Sequence, residues 1–109
     1  MADTGRVLLV DDDPAQLRLL RGVLEADGWE VVQADSGEAA VYRLEESGEI
    51  DVLVTDLMMP GMDGAALLEK VQERWPEVPV IILTAHGSVD SAVALLHAGA
   101  HDYLTKPTK

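Results

Sequence analysis

"VLLVDDDPAQ", residues 7–16, runs four apolar residues straight into three aspartates and then a proline. Apolar residues without polar alternation suit a strand covered on both faces, as parallel sheets require. The acids that follow should repel one another, by roughly 3 kcal/mol per pair at about 5 Å and an effective dielectric of about 20. A buried strand that ends in such a run needs a reason. Asp13 has one of its own, because an aspartate directly before Pro14 reads as a helix N-cap with proline at the first helical position. That leaves Asp11 and Asp12 for another purpose.

Outward from this stretch the same pattern recurs. "DVLVT" (51–55) and "VPVIILT" (78–84) are β-branched-rich runs like "RVLLV" (6–10), whereas "WEVVQA" (29–34) and "HDYLT" (101–105) are more polar and suit the sheet edges. Between them the apolar residues fall at helical spacing: Leu17, Leu20 and Leu24; Leu67, Val71 and Trp75; Val89, Val93 and Leu96. Ser36, Asp63 and Ser88 stand where the later helices need caps, and Gly28, Gly48 and Gly99 where helices end. Strands alternating with helices predict an α/β fold of the flavodoxin-like kind. Its doubly wound, five-stranded parallel sheet has the order 2-1-3-4-5 and helices on both faces.

The chain has 109 residues, enough for one buried core, with no repeat or linker that would divide it. Eight basic against twenty acidic residues give a net charge of −12, which disfavours direct contact with nucleic acid or anionic lipid. No cysteine is present, so neither a disulfide framework nor a thiolate metal site is available. The apolar opening is too short for a signal peptide or a membrane span, and the expected location is cytoplasmic.

Polar residues then mark one rim. Asp11 and Asp12 follow the first strand, Asp56 the third, Thr84 the fourth and Lys106 the fifth. These are all carboxyl ends, where an open doubly wound sheet binds its ligands. The order 2-1-3-4-5 makes strands one and three neighbours, so Asp11, Asp12 and Asp56 converge. Hard oxygen ligands without His or Cys call for Mg²⁺, which would offset the repulsion among them. A carboxylate can also act as a nucleophile and form an aspartyl-phosphate. Phosphoryl transfer needs positioning and charge neutralisation, which a divalent ion, Lys106 and the Thr84 hydroxyl would supply.

Four stretches together, "VLLVDDD", "DVLVTDLMMPGMDG", "VIILTAHGS" and "GAHDYLTKP", spread across nearly the whole chain. In this order and spacing, the chain resembles a bacterial response-regulator receiver domain of the chemotaxis-protein type. The resemblance implies Asp56 as phosphoacceptor and Asp12 as a direct Mg²⁺ ligand, with Asp11 assisting. Asp56 and the Met58 backbone carbonyl would complete the protein's share of the metal shell. Lys106 would pair with the phosphoryl group, Thr84 would reach toward it, and Tyr103 would occupy the switch-aromatic position. A cis Lys106–Pro107 bond is implied in the same way. His86, two residues past Thr84, could tune phosphoryl hydrolysis or simply be a solvated loop residue.

Partners follow from the same resemblance: a histidine kinase or phosphotransfer protein as donor, and an output domain outside this chain. The domain would assist only its own phosphorylation and dephosphorylation, as a switch and not an enzyme. "TAHGSVDSAVALLHAGAHDYLTKP" is similar to receivers of nitrogen-regulator-type transcriptional activators, which implies a transcriptional output. The family carries a fifth helix after the lysine-proline turn, whereas only Pro107, Thr108 and Lys109 follow Lys106 here. The expectation is therefore a receiver domain over 1–109 that stops before its last helix. Apolar surface left uncovered on strands four and five would favour homodimerisation or domain exchange. Two other readings compete. A metal-dependent phosphohydrolase would need a substrate pocket or lid that these short loops do not suggest. A vestigial interaction module would not need the full set of Asp11, Asp12, Asp56, Thr84 and Lys106.

Overall fold

A computed structural model describes residues 5–47, 49–57, 59, 61–84, 96–97 and 99–105. The order of elements is β1 (Arg6–Val10), α1 (Pro14–Ala26), β2 (Glu30–Ala34), α2 (Gly37–Ser47), β3 (Val52–Thr55), α3 (Gly64–Arg74), β4 (Val80–Thr84) and β5 (Asp102–Thr105). All pairings are parallel, and the sheet order is β2-β1-β3-β4-β5. This is the flavodoxin-like order expected from the alternation of strands and helices. The polar runs, β2 and β5, lie at the two edges. The helix expected after Ser88 falls mostly outside the described residues.

β1 is the centre. Leu8 pairs in register with Val32 of β2 and Leu53 of β3, and residues 7–10 are all buried. Side chains alternate across a strand, so the two faces bury different partners. Leu8, Val10, Leu53, Val80 and Ile82 join Ala40 and Leu44 of α2 and Leu67, Leu68 and Val71 of α3 in the main core. Each such leucine contributes about 1.5–3 kcal/mol by leaving water. Val7 and Leu9 lie on the other face, where α1 buries Leu17. Further along that face, Val54, Ile81 and Leu83 are half-buried.

Except for β1, strand starts sit one or two residues later than the runs that predict them, and for β2 and β4 the reasons are identifiable. α1 ends in a Schellman motif: Gly28 takes φ +98°, its N–H donates to the Glu25 carbonyl, and the Trp29 N–H donates to the Leu24 carbonyl. Trp29 is therefore occupied by the helix and β2 begins at Glu30. Val78 donates its N–H to the Trp75 carbonyl at 3.0 Å, and Pro79 has no N–H to offer, so β4 begins at Val80. Trp75 itself is the C-cap of α3, not a member of its last turn. It still packs against the core, with the Arg74 guanidinium 4.5 Å over its ring.

Candidate functional site

The ladders of the sheet continue one residue past β1 and β3, and this continuation builds the site. The Asp11 N–H donates to the Ala34 carbonyl at 3.2 Å, and the Asp56 N–H donates to the Val10 carbonyl at 3.0 Å. Asp11 is thereby tied to the end of β2 and Asp56 to the end of β1, and Asp11 is only 2% exposed. Asp56 is half-buried and Asp12 is exposed. One carboxylate oxygen from each of the three lies within 4.8 Å of the others. Three carboxylates with no nitrogen or sulfur donor among them form a set of hard oxygen ligands.

Asp13 stands apart, as its place before Pro14 implies. Its carboxylate accepts the Ala15 N–H at 3.0 Å and caps α1, while its own N–H donates to Asp11 Oδ1 at 3.0 Å. Such caps contribute about 1 kcal/mol. The helix start therefore also orients the buried acid. Ser36 Oγ accepts the Ala39 N–H at 3.0 Å, and Asp63 accepts the Ala66 N–H at 2.9 Å, so both later caps fall where the sequence places them.

After Asp56 the chain turns back on itself. The Gly64 N–H donates to the Leu57 carbonyl at 2.9 Å, and Gly61 takes φ +74°, where a side chain would strain the turn. Gly64 opens α3 against the carboxyl end of β3. A β-carbon there would collide with the Asp56 carbonyl oxygen and lie 2.8 Å from Leu57 Cα. Gly37, at the start of α2, is equally tight against this loop, since its β-carbon would fall 2.7 Å from the Met62 carbonyl oxygen. Met59 is buried in the core and Met62 packs against it, so these methionines anchor the loop from below.

Sequence reasoning did not single out Thr55. This fully buried residue donates its hydroxyl to the Asp56 carbonyl at 2.9 Å. The available signal was a polar residue closing an apolar strand immediately before the third acid. Beside the acids a groove of about 520 Å³, lined among others by Pro14, Leu17, Ala34, Asp35 and Arg43, meets the cluster through Asp12. Of the other expected site residues, Thr84 and Tyr103 lie on β4 and β5, where Ile82 pairs with Tyr103 and Thr84 with Thr105. Their side chains, together with Met58, His86, Lys106 and Pro107, lie outside the described residues. Among the described residues no helix is long and apolar enough to cross a membrane.

Comparisons with known proteins point to one family. The family model described as response regulator receiver domain matches residues 7–109. The transcriptional regulatory protein GlrR of Escherichia coli (strain K12) is 46% identical over 101 residues, which is 93% of this chain and 22% of that protein. The DNA-binding transcriptional regulator NtrC of the same strain is 44% identical over 103 residues, 94% of this chain and 22% of that protein. A crystal structure of a response regulator receiver domain protein from Clostridium thermocellum matches with a TM-score of 0.90 at 36% identity, covering 97% of this chain and 85% of that one. The chain thus spans about a fifth of the length of these two curated relatives.

Proposed function

Because the chain belongs to the response regulator receiver domain family, we propose that it works as a phosphorylation switch with Asp56 as the phosphoacceptor. The observation that carries this reading is the convergence of Asp11, Asp12 and Asp56 at the carboxyl ends of β1 and β3, within 4.8 Å of one another. An Asp56 carboxylate oxygen attacks the phosphorus of the donor. The new O–P bond forms as the bond from phosphorus to the leaving group breaks, and the electron pair departs with that group. The donor in the cell is a phosphohistidine of a kinase or phosphotransfer protein, so the leaving group is an imidazole nitrogen.

The three acids fit Mg²⁺, and they would hold it together with the Met58 carbonyl that the family resemblance implies. When bound, the ion supplies the positive charge that offsets the acids and steadies the transferring oxygens. Asp11, held by the Asp13 N–H, keeps its orientation throughout. Lys106 pairs with the phosphoryl oxygens, Thr84 donates to them, and Tyr103 follows the movement of Thr84 as the state changes. The message passes to an output module elsewhere in the full-length protein. A transcriptional output is the reading that similarity to GlrR and NtrC supports. With a net charge of −12, this domain leaves DNA contact to that module, and the whole acts in the cytoplasm.

Acetyl phosphate with Mg²⁺ tests the assignment, acetate then being the leaving group. Intact-mass measurement should find one phosphoryl group on the wild-type chain and none on Asp56→Asn. Equal labelling of the two would overturn the assignment, and steady turnover of a generic phosphatase substrate would replace it with a hydrolase.

A further inference from the structure

The backbone of Asp56 is held on every side that the described residues present. Its N–H is tied to the Val10 carbonyl at 3.0 Å. Its carbonyl accepts the Thr55 hydroxyl at 2.9 Å, and Gly64 closes on the same carbonyl so tightly that a β-carbon has no room. Thr55 is fully buried, and its backbone is locked in register between Val10 of β1 and Ile82 of β4. A threonine hydroxyl placed there has one task the packing alone cannot perform. It fixes the plane of the peptide that leads out of Asp56. That plane sets the direction in which the chain leaves Asp56 through Leu57, whose carbonyl Gly64 then bonds.

Resting on the phosphoacceptor reading, we propose that Thr55 is a positioning residue for Asp56, acting through the hydrogen bond to the Asp56 carbonyl. Valine would fill the same space and suit the strand equally well. It would take the Thr55 hydroxyl away from that carbonyl. A partner of a metal-ligating residue typically changes affinity or rate by ten- to a hundredfold when removed, a range that a small misplacement of a reacting group can also reach.

The test compares Thr55→Val, which removes the hydroxyl and keeps the shape, with Thr55→Ser, which keeps the hydroxyl and removes the methyl. Calorimetric titration of the donor-free chain with Mg²⁺ should show affinity about tenfold weaker in Thr55→Val and within about twofold of wild type in Thr55→Ser. With acetyl phosphate, the limiting phosphorylation rate of Thr55→Val should fall about tenfold while the half-saturating donor concentration stays put. Wild-type behaviour of Thr55→Val, or equal losses in both variants, overturns the proposal. Should Thr55→Val not fold, Gly64→Ala presses on the same carbonyl from the other side, and unchanged Mg²⁺ affinity there is equally fatal. A wild-type chain that binds Mg²⁺ but takes no phosphoryl group would instead sink the phosphoacceptor reading, with the Mg²⁺ titration still deciding the role of Thr55.

Discussion

At the amino end of the sheet, Asp51 accepts the Arg6 backbone N–H at 2.8 Å and Glu30 meets the Arg6 guanidinium at 3.2 Å. At the carboxyl end of the same central strands, Asp11, Asp12 and Asp56 crowd one another within 4.8 Å. The residue types are alike and their arrangement is opposite. At the amino end the fold matches each acid with a donor from a neighbouring strand, and the charges serve to close the sheet. At the carboxyl end it gathers like charges where β1 and β3 lie side by side, a set that the proposed Mg²⁺ would balance. Parallel pairing makes this division possible, because it sends every strand's carboxyl terminus to one rim.

The contrast can be broken most forcefully from the core that separates the two ends. Leu53→Ala empties a fully buried position on β3 and should cost about 2–5 kcal/mol in urea unfolding. A cost below about 1 kcal/mol would show that the two ends do not hang from a shared core. A smaller and more selective effect is expected at the acidic end. Asp12→Asn relieves repulsion at an exposed position, so in EDTA it should raise stability by about 0.5 kcal/mol. The same change should weaken Mg²⁺ binding about tenfold or more in a calorimetric titration. A variant that loses both stability and affinity would contradict the idea of stored repulsion. The smallest effect belongs to the amino end. Arg6→Met should cost about 1 kcal/mol or less, since Glu30 is largely exposed, and leave Mg²⁺ affinity unchanged. A change in affinity there would mean that the two ends are coupled.

Much of this was legible in local pattern. Apolar runs located the strands and their polarity sorted edges from centre, because burial on one face or two writes itself into composition. Asp13, Ser36 and Asp63 announced three helix starts, since a cap bonds only its near neighbours along the chain. Convergence of Asp11, Asp12 and Asp56 followed once the strand order was known. What escaped notice depends on approach between distant segments. Nothing around Gly37 says that Met62 will press against it, and nothing around Gly64 names the Asp56 carbonyl as its neighbour. Arg74, which reaches Glu45 of α2 at 2.7 Å while covering Trp75, is another such contact. Thr55 went unnoticed for a different reason. A β-branched residue at a strand end satisfies propensity by itself, which hides the hydrogen bond it was chosen to make.

The register of β1 against β3 also bears on how the chain reaches its native state. Val10 and Thr55, which pair directly, are the last residues before the two groups of acids. All of α1, β2 and α2 intervenes in the chain. Pairings between such distant segments form late and slowly, because loop-closure entropy is lost before the contact rewards it. Neither acid pair nor lone acid can assemble the three-carboxylate set beforehand. A half-folded chain thus lacks the three-carboxylate set, which arises in the same step that pairs β1 with β3.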